Sequence, residues 1–90
     1  EAMNLGGNDP DLYNELGICL FTIGNVKEAI DIYTKGIEEY PSDYKLLFNR
    51  GLINLQIGNI EKAKEDIHAA YNLNPNDPSI KDMLINIENI

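Results

Sequence analysis

The chain has 90 residues, 43% of them hydrophobic and 24% charged, with a formal net charge of −8. This length forms one small domain with a modest core, and the composition is neither that of a disordered tail nor that of a membrane protein. The negative field repels nucleic-acid phosphates and anionic lipid, so we expect neither nucleic acid nor a membrane as partner, and a neutral or basic partner is favoured. The single cysteine, Cys19, excludes an internal disulfide and favours a reducing compartment. We therefore expect a cytoplasmic location, with the nucleus as the alternative.

Residues 10–43 predict a helix, a tight turn and a second helix. Apolar side chains recur at steps of three and four residues, first at Leu12, Leu16, Cys19, Leu20 and Ile23, then at Val26, Ala29, Ile30, Tyr33 and Ile37. Gly24 and Asn25 separate the two runs, because both residue types tolerate positive φ at a helix end. Pro41 cannot continue the second helix, and Ser42 and Asp43 favour the start of another.

Residues 44–77 repeat this plan with an offset of 34 residues. The matched pairs are Gly17 and Gly51, Gly24 and Gly58, Asn25 and Asn59, Ala29 and Ala63, and Pro41 and Pro75. Asp9, Asp43 and Asp77 keep the same spacing, each just before a new unit. A fixed period of this size indicates a repeat architecture, in which each unit buries its apolar face against its neighbours. We predict an all-α superhelix with units at residues 10–43 and 44–77.

The residues at matching positions form a recognisable order. In the first unit they are Tyr13, Leu16, Gly17, Leu20, Ala29, Tyr33, Gly36 and Pro41, and in the second Leu47, Gly51, Ala63, Ile67, Ala70 and Pro75. This order resembles the tetratricopeptide repeat, in which an aromatic residue, a Leu-Gly pair, an alanine, an aromatic residue and a proline recur. Arg50 and Asn54 depart from it, because leucine and a large apolar residue are usual there. We expect these two residues to loosen the packing inside the second unit.

Both ends of the chain continue the period. Residues 78–90 carry one apolar helical stripe, which predicts a capping helix or the first helix of a third repeat; its members are Ile80, Met83, Leu84, Ile87 and Ile90. Ile85 lies outside the stripe, and we expect it to be exposed unless a further segment covers it. Ala2 and Leu5 are in phase with the last turn of a unit, so residues 1–9 are predicted to be the remnant of a preceding repeat. Because the chain also begins with Glu1, we expect a segment of a longer protein, the alternative being a short natural linker.

Residues with catalytic or metal-binding chemistry form no recognisable constellation in the sequence. His68 is the only histidine, its helical phase points outward, and no Ser, Cys or Asp is placed to form a relay with it. Cys19 falls in the packing stripe of the first helix and is interpreted as a buried, inert thiol. Neither the Cys/His spacing of a zinc site nor a Gly-rich phosphate loop occurs. We therefore expect no enzyme activity in this segment, no cofactor and no metal.

The resemblance to the tetratricopeptide repeat implies where a partner would bind. In that family the first helix of each unit lines the concave side of the superhelix. The predicted groove residues are Asp11, Asn14, Ile18, Phe21, Lys45, Phe48, Asn49, Leu52, Leu55 and Gln56. The apolar members would form a contiguous strip, and such strips usually mark a contact surface. The alternative is that these side chains pack on each other or are covered by a further unit.

One subset of the family clamps the C-terminal carboxylate of heat-shock chaperones. The stretch KLLFNRG is similar to a clamp repeat of immunophilin-type co-chaperones, with Lys45 at the position of the clamp lysine. Asn49, however, takes the place of the clamp arginine, and Glu15 would repel a carboxylate. A working clamp needs several charge-assisted hydrogen bonds, so we do not expect a complete clamp here.

These observations predict a protein-interaction module that binds a peptide or helix in the groove, within a larger scaffold, adaptor or co-chaperone. Two alternatives stay open. The segment could be an assembly element that self-associates through exposed repeat ends, or a targeting module attached to an enzyme such as a peptidyl-prolyl isomerase.

Overall fold

The computed structural model describes residues 9–89, and this range contains five α-helices and no strand. Helix α1 spans Pro10–Thr22, α2 Val26–Glu39, α3 Tyr44–Gln56, α4 Ile60–Leu73 and α5 Pro78–Glu88. The predicted all-α helical repeat is confirmed, with α1/α2 and α3/α4 as two hairpins and α5 packed against α4. Residues 1–8 and Ile90 lie outside the described residues, so the predicted remnant of a preceding repeat stays a prediction. None of the five helices is long and apolar enough to cross a membrane.

Three aspartates, spaced by 34 residues, each begin a helix. Asp9, Asp43 and Asp77 are the N-caps of α1, α3 and α5, and each has an extended backbone. Each carboxylate accepts a hydrogen bond from the backbone N–H two residues later, at 3.0, 3.0 and 2.9 Å respectively. A side-chain oxygen in this position satisfies one of the N–H groups that the first helical turn leaves unpaired. The 34-residue spacing of the aspartates therefore fixes where each unit starts.

Two glycines close the first helix of each hairpin. Gly24 and Gly58 have φ values of 93° and 89°, a region in which only glycine avoids a clash of the Cβ atom. The following residue then donates its backbone N–H back across the helix end, from Asn25 to the Leu20 carbonyl and from Asn59 to the Asn54 carbonyl, both at 2.8 Å. This arrangement pairs the last helical carbonyls and turns the chain within a few residues.

Small residues allow close contact between the two helices of a hairpin. A Cβ atom on Gly17 would lie 2.3 Å from Cε2 of Tyr33, and one on Gly51 would lie 3.0 Å from Cδ1 of Ile67. The side chain of Tyr33 therefore occupies the space that a larger residue at position 17 would need. In both hairpins, therefore, a glycine on the first helix packs directly against a large side chain on the second.

Two clusters of buried residues share α3. The first joins α1, α2 and α3, through Tyr13, Ala29, Tyr33, Leu46 and Ile53. The second joins α3, α4 and α5, through Leu47, Ala63, Ile67, Ala70, Ile80 and Ile87. Because α3 contributes to both clusters, the two hairpins form one continuous packed body rather than two independent ones.

The predicted packing stripe of α1 is wrong in part. Leu12 is 40% exposed and Ile23 is 70% exposed, and Cys19 is an exposed thiol rather than a buried one. The residues 34 positions after Leu12 and Cys19 are Leu46 and Ile53, which are buried in the first cluster because α2 packs against that face of α3. On α1 the same face has no helix against it within the described residues.

Arg50 and Asn54 do not leave the second unit loosely packed in the way the sequence predicts. Arg50 donates two hydrogen bonds to the Asp66 carboxylate, from Nε at 2.8 Å and from Nη2 at 2.7 Å, and a third to Thr34 Oγ1 at 3.1 Å. The buried Asn54 donates to the same carboxylate at 3.4 Å. Hydrogen bonding to Asp66 raises the pKa of Arg50, although burial acts in the opposite direction. The two departures therefore form a polar cluster that joins α2, α3 and α4.

Helix α5 covers the apolar flank of α4. Ile80 and Ile87 are fully buried, and Met83 and Leu84 pack against the same cluster from partly buried positions. Ile85 is 57% exposed, in agreement with its predicted place outside the stripe.

Candidate binding groove

An open hollow of about 220 Å³ lies between the facing sides of α1 and α3, with α2 beneath it. Its lining residues are Ile18, Phe21, Tyr33, Asn49, Leu52, Ile53 and Gln56. Five of these were predicted from the sequence, and Tyr33 and Ile53 were not. The periodicity places Tyr33 in the apolar stripe of the second helix and makes no assignment for Ile53; both are buried, and both border the hollow.

The apolar side chains around the hollow are only partly covered. Ile18 is 49% exposed, and Phe21 and Leu52 are half-buried. Leaving such side chains in contact with water costs free energy, so an open apolar hollow is a common property of contact surfaces.

Other predicted groove residues lie outside the hollow. Phe48 and Leu55 pack against the second buried cluster. Asp11 and Lys45 are exposed near the first turns of α1 and α3, where Lys45 Nζ lies 3.5 Å from Asp11 Oδ1. Of the predicted apolar strip, Ile18, Phe21 and Leu52 line the hollow. Leu52 also packs against the second buried cluster, as Phe48 and Leu55 do.

A chain of hydrogen bonds connects the base of the hollow to its wall. The Tyr33 hydroxyl donates to Asn14 Oδ1 at 2.8 Å and approaches the Asn14 carbonyl oxygen at 3.1 Å. Asn49 Nδ2 donates to the same Asn14 Oδ1 at 2.6 Å. We call these three residues the amide node. The sequence signal for it was the tyrosine at position 33, where the repeat pattern carries phenylalanine.

Burial and local charge shift the pKa values of two groups at the groove. Burial raises the pKa of Tyr33 to about 12, while the neighbouring Asn49 side chain acts in the opposite direction. The Tyr33 hydroxyl therefore remains a protonated donor at neutral pH. The Asp11 carboxylate raises the pKa of Lys45, with a smaller contribution from Asp43, so this lysine stays charged and paired.

The lone histidine lies away from the hollow. His68 Nε2 is 2.6 Å from Glu88 Oε2, and both side chains are half exposed where α4 meets α5. In the part of the chain that the structure describes, no group of three or more His, Cys, Asp or Glu residues could hold a metal ion.

Paired helices with a 34-residue period and an open groove between successive first helices define a helical-repeat protein. Two sequence models of the tetratricopeptide repeat match the chain, one over residues 10–43 and one over residues 44–77. The chain belongs to the tetratricopeptide repeat family.

Curated relatives include the mitochondrial import receptor subunit TOM70 of Saccharomyces cerevisiae, from strains YJM789 and ATCC 204508 / S288c. The chain is 32% identical to this protein over 77 residues, which cover 84% of the chain and 12% of the relative. The chain thus spans only about an eighth of the length of these curated relatives, as the 12% share shows.

Two solved structures illustrate the same fold. The type III secretion chaperone SycD of Yersinia enterocolitica, in complex with a peptide of the translocator YopD, matches with a TM-score of 0.74 and 23% identity over 90% of this chain and 62% of that chain. The second tetratricopeptide repeat of Spaghetti (RPAP3), bound to the HSP90 peptide SRMEEVD, matches with a TM-score of 0.75 and 21% identity. That match covers 98% of this chain and 88% of the other.

Proposed function

We propose that the chain is a protein-interaction module that binds a peptide segment in the hollow between α1 and α3. The observation that carries this proposal is the exposed apolar surface of Ile18, Phe21 and Leu52 around a cavity of about 220 Å³. This volume is below the usual range for sites of drug-sized molecules, and it is better suited to one side chain of a peptide.

The similar structures support a peptide as the ligand. SycD is complexed with a peptide of YopD, and the Spaghetti repeat is bound to an HSP90 peptide. For this chain we propose a peptide as the ligand, but neither the YopD sequence nor the HSP90 sequence. The net charge of −8 favours a neutral or basic segment, because an acidic one would be repelled at long range. We place the module in a larger scaffold, adaptor or co-chaperone of the cytoplasm.

Self-association is a second candidate, supported by a different surface. Leu12, Cys19 and Ile23 are exposed together along one side of α1. Sedimentation at increasing concentration tests this candidate directly. A chain that stays monomeric throughout would remove it, and a concentration-dependent mass that Leu12→Asp abolishes would support it.

A random peptide display library, selected on the chain, tests the groove. We expect enriched peptides whose binding is lost in Ile18→Asp and Leu52→Asp, because a carboxylate in the hollow removes its apolar character. Ile85→Asp is the matched control, since Ile85 is equally apolar and 57% exposed but lies on α5 outside the hollow. If folded Ile18→Asp and Leu52→Asp proteins bind every enriched peptide as the parent does, the groove is not the binding site.

A further inference from the structure

We infer that the exposed side of α1 is a docking surface for α4 of a second copy of this chain, and that α5 of that copy must first leave α4. We call this side of α1, formed by Leu12, Leu16 and Cys19, the α1 face. The inference rests on the second candidate function, self-association, and is independent of peptide binding in the hollow. It states which two surfaces meet and what keeps them apart in a single chain.

The α1 face carries the same apolar pattern as the side of α5 that docks. Two steps of 34 residues connect the matching positions, which are Leu12 and Ile80, Leu16 and Leu84, and Cys19 and Ile87. On α5 these side chains belong to the second buried cluster or pack against it. On α1 the matching side chains are exposed or half-buried, because no helix covers that side of α1 within residues 9–89. One apolar pattern is therefore present twice, covered on α5 and open on α1.

Helix α4 receives α5 at a small residue. Ala70 on α4 and Ile80 on α5 are both fully buried in one cluster. One unit earlier, a Cβ atom on Gly36 would lie 3.1 Å from Cδ1 of Leu46, so a small residue at this position allows a large aliphatic one to approach. Exchange of isoleucine and leucine conserves volume and is well tolerated. The place opposite Ala70 that holds Ile80 therefore also fits Leu12 of a second copy.

The junction between α2 and α3 has a different chemistry. Arg50 on α3 stands at the position that matches Leu16 and Leu84. It donates a hydrogen bond to Thr34 on α2 at 3.1 Å and is paired with Asp66 at 2.7 Å. Leucine offers neither contact. Of the two junctions between units that the described residues contain, α1 thus matches the incoming helix of the α4–α5 junction.

Two advantages keep α5 on α4 of its own chain. His68 Nε2 on α4 lies 2.6 Å from Glu88 Oε2, whereas the residue of α1 that matches Glu88 is Leu20, which offers the histidine no carboxylate. The short loop 74–77 also tethers α5, and a short tether corresponds to an effective concentration of about a millimolar. We therefore expect a closed, single chain at micromolar concentration and association of the parent chain only toward millimolar concentration.

The contact is directional, because α1 of one copy meets α4 of the next. Each added copy brings one further surface of each kind, so the assembly is open-ended rather than a symmetrical dimer. The net charge of −8 on each copy opposes the contact, and salt screens this repulsion. Assembly should therefore strengthen as salt concentration rises.

Release of α5 in the full chain tests the inference. Ile87→Asp places a carboxylate in the cluster that holds α5, which should free α4. In sedimentation at micromolar concentration, we expect the association constant of Ile87→Asp to exceed that of the parent at least about tenfold, with Ile87→Ala in between. Ile85→Asp is the matched control and should behave as the parent, because Ile85 is on the same helix but 57% exposed. Circular dichroism establishes that all variants are helical.

The thiol of Cys19 reports whether the α1 face is covered. In assembled Ile87→Asp we expect its reaction with a thiol reagent to slow at least about tenfold, because reagent access then requires dissociation. The double variant Leu12→Asp/Ile87→Asp should return both the mass of a single chain and the fast reaction. Assembly that persists in the double variant, as exchange of α5 between copies would produce, overturns the inference.

A mixing experiment tests the direction of the contact. Leu12→Asp/Ile87→Asp has a free α4 and a blocked α1 face, and the parent has the reverse. Neither should associate alone at micromolar concentration, but their mixture should form a one-to-one complex and nothing larger. No complex in the mixture would overturn the inference. If the parent alone forms a dimer that Leu12→Asp abolishes, self-association stands and this particular contact does not.

Discussion

The hydroxyl group of Tyr33 gives this repeat position a hydrogen bond that phenylalanine could not make. The ring belongs to the first buried cluster and faces Gly17, as the repeat pattern requires of an aromatic residue. The hydroxyl donates to Asn14 Oδ1 on α1, and the same oxygen accepts from Asn49 on α3, so a core residue of α2 contacts the polar pair between α1 and α3. Burying this hydroxyl is favourable only while it is protonated, because an unpaired buried charge is costly.

The raised pKa of Tyr33 predicts a loss of stability at high pH. The pKa is about 12 in the folded protein against 10.0 in the unfolded chain, so the unfolded chain loses its proton first. The contribution of Tyr33 is therefore fully present below about pH 10 and is lost as pH rises toward 12. It amounts to about 2–3 kcal/mol, at about 1.4 kcal/mol for each unit of pKa. Urea unfolding at a series of pH values measures it.

Tyr33→Phe is the control for that titration. Burial also raises the pKa values of Tyr13 and Tyr40, and both residues remain in the variant, so the difference between the two proteins isolates Tyr33. We expect the free energy of unfolding of Tyr33→Phe to fall less steeply above pH 10. Parallel curves for the two proteins would show that the Tyr33 hydroxyl titrates normally.

At the scale of the helices, the starts and turns were predictable because they depend on local chemistry. Asp43 and Gly24 each act within a few residues of their own position, so the sequence alone indicates the helix ends. The Arg50–Asp66 pair was missed because its partners are 16 residues apart on two helices. Periodicity places each residue on a face but does not say which charges meet. For the same reason the sequence assigns Phe48 to the groove without indicating that it also packs against the second buried cluster.

The Arg50–Asp66 pair ties α3 to α4, and we expect its disruption to be costly. Asp66 is 7% exposed and Arg50 22% exposed, so Asp66→Ala leaves a largely buried guanidinium without its counter-charge. The expected loss is about 3 kcal/mol of unfolding free energy. Replacement of both residues by leucine should recover most of it, because the residue usual at position 50 of this pattern is leucine. A loss below about 1 kcal/mol in Asp66→Ala would contradict this account.

Helix α5 supplies a second prediction at this scale. Ile87 is fully buried against α4, so Ile87→Ala should lower the unfolding free energy by about 2–5 kcal/mol, the usual cost of a cavity at such a site. Ile85→Ala, on the same helix, is the matched control. Because Ile85 is 57% exposed, we expect a change within about 0.5 kcal/mol. Equal effects in chemical denaturation would mean that α5 is not docked as described.

Over the whole molecule, the 34-residue period makes a face of α1 equivalent to the same face of α3. The face of α3 that carries Leu46 and Ile53 is buried by the first hairpin, and the same face of α1 carries the exposed Leu12 and Cys19. An interface on this face, which α1 does not have within residues 9–89, is present once inside the molecule, between α2 and α3. The α2–α3 interface shows what such a face packs against. Its partner is the second helix of a unit, which contributes a small residue and an aromatic residue, here Ala29 and Tyr33.

This equivalence predicts the result of duplicating the first unit. A chain in which residues 10–43 are joined directly before residue 10 keeps an aspartate, Asp43, at the N-cap position of the next helix. The added second helix should cover Leu12 and Cys19 as α2 covers Leu46 and Ile53. Burial of the thiol should slow its reaction with a thiol reagent at least about tenfold, because reagent access would then require local opening of about 1.4 kcal/mol or more.

Thiol reactivity is a direct measure of this packing, since Cys19 is the only cysteine of the chain. In the duplicated protein the added copy carries Cys19→Ala, so that a single thiol is followed. The apolar area newly buried at Leu12 should also raise the melting temperature, whereas Leu12→Asp in the duplicated protein should restore both the fast reaction and the original melting temperature. If the added unit is helical but the thiol reacts equally fast in both chains, the 34-residue period alone is not sufficient for units to stack. The α2–α3 interface would then depend on residues that are specific to it. The first of these to test is Arg50, which donates a hydrogen bond to Thr34.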